Sequence, residues 1–201
     1  MKFNISDYHY LRFKNMHVSK ITFIIAVTSF LLQSAFSQQI YLTRSGQASF
    51  TSNAPLEIIK AGSNEVFGAI NLTDRSFAFT IDNKSFKGFN TALQQEHFYE
   101  NYMEVQQYPS SSFKGKIIEE IDLSSQQDQL VRAKGMLVIH GVEQERIIKG
   151  TIRISADKIM LNADFTVLLE DHHIKIPRVV YQKIAEVIDV SITAGLIRKT
   201  D

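Results

Sequence analysis

Apolar and polar residues alternate with a period of two along most of the chain from residue 46 onward. Such alternation places one set of side chains on each face of a β-strand, so it predicts strands with one apolar and one polar face. Seven segments show the pattern clearly, and GQASFTS at residues 46–52 adds an eighth candidate. The apolar faces of the seven are formed by Val66, Gly68, Ile70 and Leu72; Phe77, Phe79 and Ile81; Phe113, Gly115 and Ile117; Ala133, Gly135, Leu137 and Ile139; Ile148, Gly150, Ile152 and Ile154; Ile159, Leu161, Ala163, Phe165 and Val167; and Ile188, Val190, Ile192 and Ala194.

Several connections between these segments are short, which favours antiparallel hairpins. An antiparallel sheet that is apolar on one face must fold over as a sandwich or close as a barrel, and closure removes exposed edges. The sequence therefore predicts an all-β fold, an eight-stranded antiparallel barrel. Gly68, Gly115, Gly135 and Gly150 fall on the inward face, where they leave space among larger side chains. The glycines favour a barrel that holds a ligand, while patterning alone leaves a barrel filled by its own side chains equally open.

The stretch EHFYENYMEVQQYP at residues 96–109 breaks the alternation. From Thr91 to Met103 the apolar spacing is helical, with Thr91 as a candidate N-cap. Pro109 cannot lie within a helix, so the pattern ends before it. We predict a short helical insertion around residues 91–104 that packs against one end of the barrel.

Histidines are the candidates for chemistry. His97, Glu100 and Glu104 are spaced to converge on one helix face as metal ligands or an acid/base cluster, but no HExxH or similar motif accompanies them, and a structural role is favoured. His140 ends a strand and either orients a loop or contacts a ligand head group at the barrel mouth. His172 and His173 are predicted to be exposed loop residues, because adjacent side chains on an extended segment point apart.

The sequence offers no catalytic constellation: it has no phosphate-binding glycine loop, no nucleophile paired with a base and no cysteine at all. We therefore predict a protein that is not an enzyme and that uses no metal and no cofactor.

The first 37 residues have the pattern of a signal peptide. A basic lead precedes the 12-residue apolar run ITFIIAVTSFLL, and small residues at Ala35 and Ser37 predict cleavage before Gln38. No cysteine follows the run, so we expect no lipid anchor of the cleaved-cysteine type, and an uncleaved anchor is the less favoured alternative. The prediction is a signal peptide at 1–37 and one domain at 38–201, located in the periplasm or secreted. That domain has 18 basic and 20 acidic residues, which gives no electrostatic footprint for nucleic acid.

Four segments carry a resemblance to a known family: SGQASFTSNAPLEIIKAGSNEVFGAIN, FNTALQQEHFYENYMEVQQYPSSSFKGKI, GMLVIHGVEQE and IKIP. In this order, over residues 41–197, the chain resembles the YceI-like family. The resemblance implies an exported, lipocalin-like barrel with an elongated apolar pocket for polyisoprenoids, isoprenoid quinones or similar long-chain amphiphiles. It also implies that the helix is an insertion against the barrel. Pro177, the last residue of IKIP, is placed to open a short helix.

We thus expect a carrier for a long-chain isoprenoid or other lipid. Its partners would be that lipid and, transiently, the membrane with which it exchanges the lipid; a homodimer is left open, and no nucleic acid is expected. The alternatives are an enzyme that acts on such a lipid through His97 with Glu100 or Glu104, and a filled barrel that serves as an interaction module. The predicted ligand-binding residues are Phe77, Phe79, Phe113, Ile117, Leu137, Ile152, Leu161, Phe165 and Val190 in the pocket, with His140 and Tyr102 at its mouth.

Overall fold

The computed structural model describes residues 39–155 and 157–200 and contains eight β-strands. The predicted signal peptide and its cleavage site lie outside the described residues. The strand count agrees with the sequence prediction, and each of the seven alternating segments lies in one strand except for Leu72, which directly follows β2. The strands are β1 (Ile40–Asn53), β2 (Ile58–Asn71), β3 (Ser76–Asp82), β4 (Ser110–Ile117), β5 (Gln129–Ile139), β6 (Val142–Ser155), β7 (Lys158–Leu168) and β8 (Val187–Arg198).

The strands form a closed antiparallel barrel in chain order, with β8 paired to β1. Closure follows from the one-sided alternation, since every strand buries one apolar face inside and exposes a polar face outside. β1 is the exception in sequence because register shifts near Gly46 change which of its residues face inward. Tyr41 and Thr43 are buried before the shift, and Ala48 and Ser52 after it. The period-two pattern is therefore broken inside this strand.

One end of the barrel is filled by side chains. Ile152, Ile159 and Leu196 have no exposed surface, and Tyr41 and Ile154 pack with them in one apolar cluster. The start of β1, the end of β8 and the β2–β3, β4–β5 and β6–β7 connections lie at this end, which we call the closed end. Its packing makes it the rigid base on which the rest of the interior is built.

The opposite end carries the predicted helical insertion, which the structure confirms. Helix α1 (Ala92–His97) begins after Thr91, whose side chain accepts a hydrogen bond from the backbone N–H of Gln94 at 3.1 Å. It continues into a π-helical turn, Phe98–Tyr102, before the chain returns to the sheet at β4. Beneath the turn, Phe98 packs its ring against three others with centroids 5.1 to 5.8 Å away, those of Phe50, Phe86 and Phe89. The insertion is thus held by an aromatic cluster.

The β7–β8 connection also lies at this end and contains two 3-10 turns, Leu169–His172 and Arg178–Val180. Pro177 directly precedes the second turn. Turn residues 181–183 follow it in place of a longer helix, and β8 begins at Val187. The prediction that His172 is exposed is wrong: its ring is fully buried, while His173 is exposed. The first 3-10 turn tucks the ring against the β5–β6 hairpin, where Nδ1 donates to the Val142 carbonyl at 3.3 Å.

Within the described part of the chain, no helix is both long enough and apolar enough to cross a membrane.

Candidate functional site

The barrel interior above the closed end is an open cavity with a volume of about 570 Å³. Inward side chains of all eight strands line it, and most of them are Phe, Ile, Leu, Val or Ala. The volume lies in the range of small-molecule binding pockets, which are typically concave and mostly apolar. The alternation of residues was compatible with a barrel that contains a cavity and with one filled by its own side chains. The structure has the cavity.

All nine residues predicted for the pocket lie on the cavity wall. They are Phe77, Phe79, Phe113, Ile117, Leu137, Ile152, Leu161, Phe165 and Val190. Tyr102 of the π-helical turn, predicted at the mouth, also lines the cavity. Their contact with a ligand stays a prediction.

Glycine positions explain part of the wall's shape. At Gly68 the ring of Phe79 occupies the place of a side chain, since a Cβ there would lie 2.0 Å from a ring carbon. Gly115 and Gly135 face each other across β4 and β5, and a Cβ on Gly115 would lie 2.1 Å from the carbonyl oxygen of Lys134. The pair therefore lets the two strands approach more closely than any side chain would permit.

The cavity opens at the helical end, where several exposed residues belong to its lining. Leu93 and His97 of α1 stand on one side of the mouth, and Lys183 of the β7–β8 connection belongs to another part of it. Glu57 accepts a hydrogen bond from Gln94 and so joins the β1–β2 loop to the helix. The mouth therefore combines polar groups with an apolar interior, as an amphiphile requires.

Tyr102 differs from the wall around it because it carries a hydroxyl group. Burial raises the pKa of its phenol, so the group stays protonated over the physiological range. No hydrogen-bond partner for this hydroxyl lies among the described residues, and it is available as a donor to a ligand.

His140 does not line the cavity, contrary to its predicted position at the mouth. Its ring is buried beneath Tyr108, 4.5 Å between ring centroids, and contacts acceptors at both nitrogens. Nδ1 donates to the His172 carbonyl at 3.1 Å, and Nε2 lies 2.6 Å from a carboxylate oxygen of Glu104. With Gly141 it forms a two-residue hairpin turn in which both residues have positive φ, 52° and 72°. The ring is thus a link between the hairpin, the helical insertion and the β7–β8 connection.

The proposed convergence of His97, Glu100 and Glu104 is also not found. Glu104 follows the π-helical turn in a left-handed conformation, φ 43°, and its carboxylate is bonded to His140. In residues 39–155 and 157–200, no three His, Cys, Asp or Glu side chains are grouped so that they could hold a metal ion.

Sequence reasoning missed the aromatic part of the mouth. Phe50, Phe86 and Phe98 line the cavity together with Ile59 and Ile184. In the sequence, the only indication of this cluster was the density of phenylalanine at residues 86–98. The phenylalanines meet Phe50 only because of the register of β1 beyond its irregular segment.

A domain-family model decides the relationship of the chain: the YceI-like domain matches residues 45–196, which is most of the chain. The protein belongs to the YceI-like family. No curated protein matches its sequence significantly.

Solved structures with the same YceI-like barrel are distant in sequence. A polyisoprenoid binding domain from Saccharophagus degradans, implicated in plant cell wall breakdown, has a TM-score of 0.68 at 15% identity and covers 81% of this chain and 100% of its own. BcnA from Burkholderia cenocepacia has a TM-score of 0.61 at 12% identity, with 75% and 95% covered. A YceI protein from Campylobacter jejuni reaches 0.52 at 16% identity, with 66% and 78% covered. At these identities the likeness establishes the fold.

Proposed function

We propose that the protein is an exported, non-enzymatic carrier that holds a polyisoprenoid, an isoprenoid quinone or another long-chain amphiphile in its barrel. The observation that carries the proposal is the apolar cavity of about 570 Å³, open at one end and lined by every strand. The name of one structural relative, a polyisoprenoid binding domain, supports the same ligand class.

The energetics of burial support a chain-like ligand. One isoprene unit removes about five carbons from water, which contributes about 4 kcal/mol at ~0.8 kcal/mol per buried methylene. Two or three units contribute about 8–12 kcal/mol before ordering costs, enough for micromolar affinity without a specific polar contact. Selectivity should therefore depend strongly on chain length and weakly on the head group.

The depth of the cavity fits such a chain. On β7 the lining runs from Leu161 to Val167. Six residue steps of ~3.3 Å along a strand tilted by about 40° give a depth of about 15 Å along the barrel axis. The ligand would lie along this axis with its polar end at the helical mouth, near Tyr102.

Native mass spectrometry of the protein purified without added lipid from cells that express the full chain tests this function. The expected result is a stoichiometric adduct with an isoprenoid or long-chain mass that organic solvent removes. A bare protein that also fails to take up isoprenoid quinones or fatty-acid derivatives would overturn the proposal. The same spectrum tests export, because cleavage of the proposed signal peptide leaves a chain that begins at Gln38, and it tests the homodimer by its mass.

The absence of catalysis is part of the proposal. The engagement of Glu104 with His140 supports this part, because it removes one of the two candidate carboxylates from a pair with His97 and leaves Glu100 alone. In the carrier, His97→Ala should leave ligand content unchanged, and the lipid released from the parent protein should equal the lipid supplied. Chemical conversion of the lipid that stops in His97→Ala would instead assign an enzyme.

A further inference from the structure

Exposed apolar side chains surround the mouth of the cavity. Leu56 lies in the β1–β2 loop, Leu93 on α1, and Val179 and Tyr181 in the β7–β8 connection. Val179 is 90% exposed and Leu56 is 66% exposed. We call these four residues the apolar rim. Side chains of this kind gain free energy when another apolar medium covers them.

Hydrogen bonds hold the segments of the apolar rim together. The backbone N–H of Leu56 donates to the Gln182 carbonyl at 2.9 Å, which joins the β1–β2 loop to the β7–β8 connection. On the other side, the Asn90 side chain donates to the Ile58 carbonyl at 2.9 Å, which joins the start of β2, directly after the β1–β2 loop, to the start of the helical insertion. The rim is therefore a built surface shared by three connections.

The apolar rim is continuous with the cavity. Leu93 belongs to both, and Val180, next to the exposed Val179, lines the cavity. A chain that leaves the cavity would thus pass over apolar side chains until it reaches whatever covers the rim.

The β7–β8 side of the rim carries basic side chains, which anionic head groups attract. Residues 174–183 include Lys175, Arg178 and Lys183 and no acid. None of these three residues belongs to an ion pair within the described residues. Glu57 and Glu186 stand at the edges of the same region, so the net charge is small. The apolar contribution should therefore exceed the electrostatic one, which is worth about fivefold in affinity per net basic residue at an anionic surface.

We propose that the apolar rim docks on a lipid bilayer, so that the ligand moves between membrane and cavity without crossing water. This inference rests on the proposed carrier function and names the surface through which the carrier exchanges its lipid. Tyr181 supplies the amphipathic ring typical of membrane interfaces, and the long basic side chains can reach the head groups while their stems stay in apolar surroundings.

The test is flotation of the processed protein with vesicles of mixed phosphatidylethanolamine and phosphatidylglycerol. The rim variant carries Val179→Glu and Tyr181→Glu, two residues outside the cavity lining. The matched control is Leu130→Glu with Ile147→Glu, two exposed apolar residues away from the mouth, 70% and 56% exposed. The rim variant should lose at least about tenfold in vesicle affinity, since each side chain stops contributing its burial. The control should stay within about twofold of the parent.

Two further measurements separate the loss of the docking surface from the loss of the fold. They are a milder pair of substitutions, Val179→Ser and Tyr181→Ser, and a thermal melt of each variant.

Native mass spectra of the same samples keep the two proposals apart. Retained lipid with lost vesicle binding in the rim variant alone supports the docking surface. Lipid-loaded protein that ignores vesicles, or equal vesicle affinity in all variants, overturns the docking surface and leaves the carrier function standing. A loss confined to the control also overturns it, because another face would then dock. Parent protein without any apolar ligand contradicts the carrier function, and its vesicle binding still decides whether the rim docks.

Discussion

Among the residues of the cavity wall, Tyr102 combines an aromatic ring with a donor that has no described protein partner. Tyr102→Phe removes the hydroxyl and keeps the ring. For a ligand whose head group accepts a hydrogen bond, such as a quinone, affinity should fall about two- to tenfold, the worth of one hydrogen bond of ~0.5–1.5 kcal/mol. A hydrocarbon of equal length without a head group should bind as before. Displacement of a fluorescent lipid probe by each of the two compounds measures the difference.

A neighbouring tyrosine supplies the control for that measurement. The hydroxyl of Tyr99 lies 2.8 Å from the carbonyl oxygens of both Lys84 and Phe86, so its one proton is engaged within the protein, and Tyr99 does not line the cavity. Tyr99→Phe should therefore affect stability and leave the affinity for both probes unchanged. An equal loss of quinone and hydrocarbon in Tyr102→Phe would show that the ring's packing, and no head-group contact, was disturbed.

His172 makes stability depend on pH. Burial is the main cause that lowers its pKa below the usual 6.5, and the Val142 carbonyl offsets part of the effect. Above about pH 6.5 the ring is neutral in both states; below it the unfolded chain binds a proton that the folded protein does not, so the free energy of unfolding falls as pH falls. This one site changes the free energy of unfolding by at most about 1.4 kcal/mol per pH unit. The change ends once the pH drops below the pKa of His172 in the folded state.

Urea unfolding at several pH values between about 7 and 5 measures this dependence. His172→Asn keeps a donor near the Val142 carbonyl and removes the titrating ring, so its profile should be flatter than the parent's. The control is His173→Asn, since that ring is exposed and asparagine tolerates its left-handed backbone, φ 57°. If both variants flatten the profile equally, the buried ring is not its source.

Among the structural elements, the β4–β5 ladder depends on Gly115 and Gly135, whose backbones meet directly. Gly115→Ala would place a methyl group 2.1 Å from the Lys134 carbonyl oxygen, and a main-chain group cannot swing away as a side chain does. The expected cost is about 2–3 kcal/mol, an overpacking that forces strands apart. The midpoint of denaturant unfolding measures it.

Gly62 of β2 provides a matched substitution within the same barrel. A Cβ there would lie 3.4 Å from the Ala48 carbonyl oxygen, an ordinary contact. Gly62→Ala should therefore change stability by less than about 0.5 kcal/mol or stabilise slightly, because alanine restricts the unfolded chain. Equal effects at the two positions would mean that the close approach of β4 and β5 is not a constraint.

The elements also show how far the sequence determines the structure. Alternation predicted seven strands because each has one buried and one exposed face over its length. β1 yielded only residues 46–52, since register shifts near Gly46 reset its inward parity. The insertion was predictable from Thr91 and Pro109, which mark its ends. The sequence did not allow a prediction that His172 is buried or that His140 lies off the cavity wall. Both features depend on contacts between segments about 30 residues apart.

For the molecule as a whole, the interior is divided between a packed end and an open half. Fully buried residues such as Ile152 and Ile159 stabilise the closed end without help from a ligand. In the open half, the aromatic cluster around Phe98 packs at the mouth but leaves the cavity unfilled. A ligand that fills the cavity binds only the folded state and stabilises it by mass action. The cavity and the apolar rim therefore belong together. The closed end keeps the barrel rigid, and the proposed ligand exchange takes place at the opposite end.

The dependence of affinity on ligand length follows from the finite size of the open half. A dry apolar cavity of about 150 Å³ accommodates one benzene, so 570 Å³ accommodates about four groups of five or six carbons. Isoprenoid quinones with one to about four isoprene units should gain about tenfold or more in affinity per unit, since burial of about 4 kcal/mol exceeds the ordering cost. Further units would extend through the mouth into water, and affinity should level off.

Competition titrations with a homologous quinone series locate this plateau. Ala163→Phe narrows the cavity and should move the plateau to shorter chains. Ala78→Phe is the control because Ala78 is exposed and absent from the lining. An affinity that rises without a plateau, or a plateau that Ala163→Phe leaves in place, would mean that the ligand chain is not confined by this cavity.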